Sequence, residues 1–181
     1  MNCHRNIDSN TIADFPSLSP ALINGNKSKI SNQAERAAEI HTVFTEMDHG
    51  YVNPITDKYA DLVRKSFDNK YWDINSGYED LDCFNEYMTW AVYDLFTQKY
   101  FPKYADSLNI QWHYQNASRG FYASNLFANQ FLNAYHKSKD KTLSSIYPEL
   151  LKWTSQNQNK NELPKIDITK PQDTIFTLTS S

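Results

Sequence analysis

Apolar residues recur at three- and four-residue steps through most of the chain, and this spacing is typical of helices that bury one face. The first such stretch follows Ser31 and meets helix-stopping residues at Gly50 and Pro54. Its apolar positions are Ile40, Val43, Phe44 and Met47. The pattern predicts a helix over about 31–50 or slightly beyond.

Four further helices are predicted downstream. The second helix follows Pro54 and has Thr56 as its N-cap candidate. Residues 68–78 have the composition of a loop, and residues 109–121 are compatible with either a loop or a short helix. The other three predicted helices cover about 79–101, 122–137 and 142–155.

The two ends of the chain are polar. Residues 1–30 contain one short apolar segment at 20–23, which predicts one short strand at most. Residues 156–181 form a polar tail whose alternating stretch is compatible with an edge strand or with disorder. We therefore expect a mainly α fold of about five helices with at most one or two short strands, and a helical domain over 31–155.

Composition limits the classes of function. The chain has 181 residues, of which 40% are hydrophobic and 22% charged, as in a single folded domain. No apolar run approaches the roughly 18 residues that span a bilayer, so no membrane span is expected. The net charge is −3 and the lysines are scattered, which argues against a nucleic-acid partner. With only 4 glycines, phosphate-binding loops are not expected.

The cysteines and the N-terminus carry little information about compartment. Cys3 and Cys83 allow one disulfide at most and form no CxxC metal motif. The N-terminus lacks the apolar core of a signal peptide, although upstream truncation of a secreted protein would give the same sequence. The localisation and the oligomeric state therefore stay open.

The segment with the clearest chemistry is Thr45-Glu46-Met47-Asp48-His49. In the zincin pattern HExxH, two histidines one helical turn apart bind zinc, and the glutamate between them is the general base. Glu46 and His49 match that spacing, whereas Thr45 occupies the position of the first histidine. Asn53 lies one turn after His49, where its amide could supply an oxygen or hold His49 in place.

A third zinc ligand would have to come from another element. Glu86 lies in an apolar stretch of the long predicted helix, next to Asn85, and a carboxylate in that setting needs a partner. Two other interpretations remain open. Glu46 and His49 could form an ordinary pair on a helix surface, or they could be one of the Glu-x-x-His ligand pairs of a di-iron bundle, although no second copy of that pair is present.

The segment 41–59 resembles the active-site helix of an uncharacterised bacterial family of gluzincin-like metallopeptidases, whose members carry His-Glu-x-x-His followed by an aromatic residue, an apolar residue and Asn-Pro. One motif before this segment and three motifs after it extend the resemblance over about residues 17–155. They are Ser17-Leu18-Ser19-Pro20, Asn85-Glu86-Tyr87, Gly120-Phe121-Tyr122 and Tyr147-Pro148.

This resemblance implies roles for individual residues. Glu46 would be the general base, and His49 and Glu86 would be metal ligands, with Thr45, Asn53 and Asn85 lining the site. Because a threonine hydroxyl is a poor zinc ligand, zinc is expected to bind weakly or not at all. His113, in Trp112-His113-Tyr114, is interpreted as structural or exposed, with transition-state stabilisation as the alternative.

Two hypotheses for function follow. The first is a zinc metallopeptidase-like hydrolase that acts on a peptide or protein substrate through a degenerate TExxH motif. The second is an inactive module derived from such a peptidase that serves a binding or structural role. Thr45 favours the second hypothesis, whereas the retention of Glu46, His49 and Glu86 favours the first.

Overall fold

The computed structural model describes residues 3–8, 11–15, 33–73 and 77–158, with side chains described from Ala37 onward. Within these ranges the chain forms two strands and seven helices, so the expected mainly α fold is confirmed. They are β1 (Cys3–Asp8), β2 (Thr11–Phe15), α1 (Gln33–Lys58), α2 (Ala60–Ser66), α3 (Asn69–Trp72), α4 (Asp80–Tyr100), α5 (Ala105–Ser118), α6 (Ser124–Lys137) and α7 (Leu143–Asn157).

The strands β1 and β2 form one antiparallel pair with an irregularity between Asn6 and Asp8. The sequence pattern did not predict this pair. The predicted strand at 20–23 and the alternating stretch of the C-terminal tail lie outside the described residues.

The first helix is longer than its sequence predicts. Gly50 and Pro54 do not end it, because α1 runs to Lys58 with Pro54 inside. A proline in a helix removes one hydrogen bond, to the carbonyl four residues earlier, and here that residue is Gly50. The prediction of an N-cap at Thr56 is therefore wrong. The Thr56 hydroxyl lies within α1 and is 2.9 Å from the buried hydroxyl of Tyr147 on α7.

The buried face of α1 is also not the one predicted. Ile40 and Met47 are 37% and 49% exposed. The face that packs into the molecule is mixed in polarity and consists of Ala37, His41, Thr45, Asp48, Val52 and Thr56. The steps between these residues are three or four, so the helical period is correct while the buried stripe is largely polar. Polar groups of α1 therefore face the other helices.

The central element is α4, close to its predicted range of 79–101. It packs mainly against α1 on one side and α6 on another, and residues on most of its circumference are buried. The core beside it is aromatic. Its largest members pack with ring centroids 5.2–6.1 Å apart, and they are Trp72, Phe84, Tyr87, Phe127 and Tyr147.

Two helices lie where the sequence predicted a loop or left the choice open. The short helix α3 falls inside the predicted loop 68–78, and the Asp68 side chain caps it by accepting a hydrogen bond from the Lys70 amide. The second is α5, which covers most of the ambiguous stretch 109–121.

The last helix, α7, contains Pro148, and its structure accommodates the lost hydrogen bond. Proline leaves the carbonyl four residues earlier without its helical donor. That carbonyl belongs to Ser144, and it accepts a hydrogen bond from the Tyr59 hydroxyl at 3.2 Å. The contact joins α7 to the junction between α1 and α2. Among the described residues, no helix has the length and apolar character needed to cross a membrane.

Candidate functional site

The packing of α1 against α4 brings two of the predicted site residues together. His49 Nε2 lies 3.7 Å from Glu86 Oε1. Both side chains are partly accessible, at 15% and 19% of their surface. The two residues are 37 positions apart in the sequence, so the contact depends on the packing of the two helices and not on local chain geometry.

Asn53 orients the imidazole of His49. Its Oδ1 lies 3.1 Å from His49 Nδ1, one turn along α1. An amide oxygen only accepts hydrogen bonds, so Nδ1 carries the proton in this contact. In the neutral ring, Nε2 then presents its lone pair towards the Glu86 carboxylate. Two acceptors that face each other in this way need a proton or a cation between them.

The environment of Glu86 favours a partner of positive charge. Burial raises the pKa of the Glu86 carboxyl, and the neighbouring charge of Glu46 raises it further. His49 and Arg119 act in the opposite direction and lower this pKa. The net effect is an elevated pKa, which means that the site stabilises the carboxylate incompletely.

Glu46 belongs to the same neighbourhood. It lies on α1 three residues before His49, and its charge raises the pKa values of both Glu86 and Tyr78. It is half-buried. These observations agree with a position beside the His49–Glu86 pair, as expected for a general base, while that role itself stays a prediction.

Thr45 does not join the pair. Its side chain is 6% exposed, and its hydroxyl donates a hydrogen bond back along α1 to the carbonyl of His41 at 3.1 Å. This bond is typical of threonine inside a helix. It occupies the hydroxyl at the position where the HExxH pattern has its first zinc ligand.

Asn85 is almost fully buried, at 5% exposure. Its Oδ1 has no hydrogen-bond partner among the described residues. A buried amide oxygen without a partner costs free energy of roughly 1–3 kcal/mol. The structure gives no contact between Asn85 and the His49–Glu86 pair, so its role as a site-lining residue stays a prediction.

Two residues at the site were missed in the sequence analysis. Tyr78, just before α4, and Arg119, just after α5, both act electrostatically on Glu86 or feel its charge. Tyr78 packs edge-on against Phe121, with the ring centroids 5.8 Å apart. Both residues lie in connections between helices, where no periodic pattern signals a site. The only hint was the Gly-Phe-Tyr motif that follows Arg119.

The donor atoms fit a metal ion only in part. Two ligands of a tetrahedral zinc, each at about 2.0–2.2 Å, stand roughly 3.4 Å apart, close to the separation of 3.7 Å between His49 and Glu86. Zinc centres in enzymes have three protein ligands. No group of three or more histidine, cysteine, aspartate or glutamate side chains that could hold a metal occurs in the described part of the chain.

His113 lies apart from this site, in a buried polar array. Its Nε2 is 2.7 Å from Asp94 Oδ2, and its Nδ1 is 2.7 Å from Ser124 Oγ. The side chain is 2% exposed, which agrees with the structural interpretation of this residue.

We compared the chain with protein-family models, with curated proteins and with solved structures, and nothing matches it.

Proposed function

We propose that the chain is a zinc metallopeptidase-like protein whose metal centre is reduced to two protein ligands, His49 and Glu86, with Glu46 in the position of the general base. The observation that carries the proposal is the contact between His49 Nε2 and Glu86 Oε1 at 3.7 Å, with Nδ1 bound to Asn53. An imidazole whose second nitrogen is held by an oxygen acceptor is the usual arrangement of a histidine metal ligand.

The residues of the chain divide the work of such a site. Asn53 fixes the tautomer of His49, and Glu86 supplies the negative charge opposite it. Glu46 lies close enough to influence the charge of Glu86 and could take a proton from water. A divalent metal held by this pair would act as a Lewis acid on a peptide carbonyl or on water.

The alternative is an inactive module, derived from a metallopeptidase, that serves a binding or structural role. The hydrogen bond of Thr45 to the His41 carbonyl favours it, because that hydroxyl is turned away from the pair. A site with two ligands is expected to hold zinc less tightly than a three-ligand site, by more than the roughly 10–100-fold that outer-shell changes cost.

The test is a titration of the protein with zinc, followed by dialysis and elemental analysis. We expect zinc to bind in the titration and to be lost on dialysis. His49→Ala and Glu86→Gln should each abolish the binding. The control is His136→Ala, which removes an exposed histidine at the end of α6 and should leave zinc binding unchanged.

Hydrolysis decides between the two functions. The protein with zinc in excess is incubated with a mixed peptide library, and cleavage is followed by mass spectrometry. Cleavage that disappears in Glu46→Gln would establish the hydrolase. Zinc binding without cleavage would favour the inactive module. A protein that takes up no zinc, or that loses none of its zinc affinity in His49→Ala, would contradict the proposed metal site.

A further inference from the structure

We infer that Arg119 and Tyr78 form a recognition site for a carboxylate group at the rim of the His49–Glu86 pair, so that the ligand of this protein is a peptide that carries a carboxylate. The inference rests on the proposed function for the peptide nature of the ligand. It goes beyond that function because it names the ligand's charge and the residues that select it.

Arg119 is held in a defined place although it is exposed. Its guanidinium carbon lies 5.9 Å from the ring centre of Trp90 and 5.4 Å from that of Phe121. Its backbone amide donates to carbonyls in the last turn of α5. Gly120 follows with a φ of +115°, a conformation that favours glycine. The chain turns at this residue between the end of α5 and Phe121. Cation–π contacts and a fixed backbone therefore orient the guanidinium.

The guanidinium has no carboxylate within salt-bridge distance in the ranges that the structure describes. The guanidinium approaches the ring of Trp90, which lies one turn after Glu86 on α4. It therefore lies near the pair without being neutralised by it. Arginine presents several N–H donors in a planar fork that matches a carboxylate with two parallel hydrogen bonds.

Tyr78 supplies a second donor on the same side. Its ring packs against Phe121, the same ring that supports Arg119. Burial raises the pKa of the Tyr78 phenol, and Glu86 raises it further, so the hydroxyl keeps its proton and can donate. The rim thus combines one fixed cation with one neutral donor.

The charge distribution places the anionic group at the rim and not deeper. Glu46 and Glu86 are half-buried and repel an anion, whereas Arg119 is exposed and attracts one. A carboxylate bound to Arg119 would leave the rest of a peptide free to reach the His49–Glu86 pair. The carboxylate could be the C-terminus of a peptide or an acidic side chain, and the test separates these sources.

The experiment uses three short probes: acetyl-Gly-Ala-Phe with a free C-terminus, the same peptide as the C-terminal amide, and acetyl-Gly-Asp-Phe amide. Binding to the metal-free protein is followed by NMR through the Arg119 side-chain N–H and the Trp90 indole N–H. We expect at least one carboxylate-bearing probe to bind about tenfold or more tightly than the neutral amide, as for a charge-assisted hydrogen bond.

The variants show whether Arg119 is responsible. Arg119→Gln should abolish the preference for the carboxylate, and Arg119→Lys should retain only part of it, since lysine keeps the charge and loses the fork. Tyr78→Phe should weaken binding of the carboxylate probe while leaving that of the neutral amide unchanged. The matched control is Arg64→Gln, which removes an exposed arginine that pairs with Asp61 on α2, and this variant should keep the full preference.

The outcomes are distinct. Preference for the free C-terminus alone, for the aspartate alone, or for both supports the site and identifies the source of the carboxylate. Equal binding of all three probes, a preference that survives Arg119→Gln, or no binding at millimolar concentration would overturn it. Absence of zinc binding with an intact carboxylate preference would contradict the metal function while supporting the Arg119 site.

Discussion

A single side chain at position 45 separates this helix from the complete HExxH pattern. Position 45 lies one turn before His49 on α1, where the first histidine of the pattern would stand. Thr45 uses its hydroxyl within its own helix. In the rest of the proposed site, His49 contacts both Asn53 and Glu86.

The first prediction is that Thr45→His rebuilds the missing ligand. The variant should bind close to one equivalent of zinc and retain it on dialysis, and zinc should raise its melting temperature, because a ligand that binds only the folded state stabilises it. Without zinc the variant should be less stable by about 1–3 kcal/mol, since Thr45 is buried and the imidazole is larger. Calorimetric titration and thermal unfolding measure both effects.

The control for this prediction is the double variant Thr45→His with Glu86→Ala, which should lose the gain in zinc affinity. If Thr45→His binds zinc no better than the wild type, the two helices do not present the frame of a zinc site. The inactive binding module would then be the better description of the protein.

His41 gives a second prediction at this scale, which concerns pH. Its ring stacks on Trp112 at 3.6 Å and is 6% exposed, and neither ring nitrogen has a hydrogen-bond partner in the described part of the chain. Burial, together with the nearby charges of His113 and Arg119, lowers the pKa of His41 from 6.5 to about 3. Tyr93 also packs against the ring, edge-on.

The folded state therefore binds fewer protons at His41 than the unfolded state between about pH 6.5 and pH 3. Its contribution to stability is present above the unfolded pKa and is lost as the pH falls. Between pH 6.5 and 4.5, wild type should lose about 2 kcal/mol more unfolding free energy than His41→Phe. Urea denaturation at both pH values measures this. The control is the same substitution at the exposed His136, which should leave the pH dependence of wild type unchanged. Equal losses in wild type and His41→Phe would contradict the lowered pKa of His41.

At the scale of single elements, α5 shows why a polar sequence can form a buried helix. Asp94 of α4, His113 of α5 and Ser124 of α6 form a continuous hydrogen-bonded array. Asn116 Nδ2 also donates to Ser124 Oγ at 3.3 Å. The Asn116 amide donates to the Ser124 hydroxyl, which can donate to His113 Nδ1, while His113 Nε2–H donates to Asp94. Every member has a partner, so the array joins three helices.

The array contains the residue types of a serine-hydrolase triad, yet its geometry favours a structural role. His113 and Ser124 are 1% and 2% exposed. A nucleophile has to reach its substrate, and a hydroxyl enclosed in this way has no such access. We therefore assign the array to the stability of the fold.

The third prediction follows from this assignment. His113→Leu should lower the unfolding free energy by about 3–5 kcal/mol, because it leaves the buried Asp94 carboxyl without its partner. Ser124→Ala should cost about 1 kcal/mol, as for an ordinary hydrogen bond. Ser118→Ala, at an exposed position of α5, is the control and should have little effect. Chemical denaturation gives all three values, and a cost for His113→Leu below that for Ser124→Ala would contradict the array.

Buried polar residues, such as those of the array, also explain which helices the sequence could predict. The ranges of α4, α6 and α7 follow from apolar residues at helical spacing, and the structure agrees with them. The range of α5 was ambiguous because its buried positions include polar residues. One of them, Asn109, accepts a hydrogen bond from Thr97 at 2.7 Å and lies in the stretch that periodicity could not assign. Hydrogen bonding between helices buries such residues, and hydropathy patterns do not record it.

The end of α1 illustrates the opposite error. Pro54 is a strong local stop signal, and the sequence analysis ended the helix near it. In the structure the helix continues, and Thr56 bonds to Tyr147 of α7 across 91 positions. This bond and the packing of Ile55 against the hydrophobic core stabilise the helix beyond the proline, and both follow from the fold as a whole.

The candidate site was predictable to a similar degree. The resemblance to HExxH peptidases implied that His49 and Glu86 share one site, and the two side chains are 3.7 Å apart, while their role as metal ligands stays a prediction. Tyr78 and Arg119 could not be found in this way, because each lies in a connection whose path depends on the packing of α4 and α5. A connection that approaches a site leaves no periodic trace in the sequence.

At the scale of the whole molecule, the His49–Glu86 pair and the main core lie on different faces of the same central helix, α4. Glu86 of α4 points to α1, whereas Phe84 and Tyr87 belong to the aromatic core shared with α6 and α7. The core therefore supports α4 without supplying a side chain to the His49–Glu86 pair, although its Trp90 and Phe121 contact Arg119. Substitutions of core residues that do not contact Arg119 or Tyr78 should change stability and leave the chemistry of the pair intact.

Phe127 of α6 tests this separation and gives the last prediction. It is fully buried and packs against four aromatic rings at centroid distances of 5.2–6.4 Å. Those rings belong to Trp72, Phe84, Tyr87 and Trp153.

Because Phe127→Ala removes these contacts and leaves a cavity, it should lower the unfolding free energy by about 3–5 kcal/mol. Zinc affinity should stay within about twofold of wild type where the variant is folded, since none of the ring contacts of Phe127 is with His49 or Glu86. Tyr100→Ala, at a position that is 58% exposed, is the control and should cost far less. Urea denaturation and zinc titration of the same samples separate the two effects. A loss of zinc binding in folded Phe127→Ala would show that the core sets the spacing of α1 and α4, and the separation of core and site would be wrong.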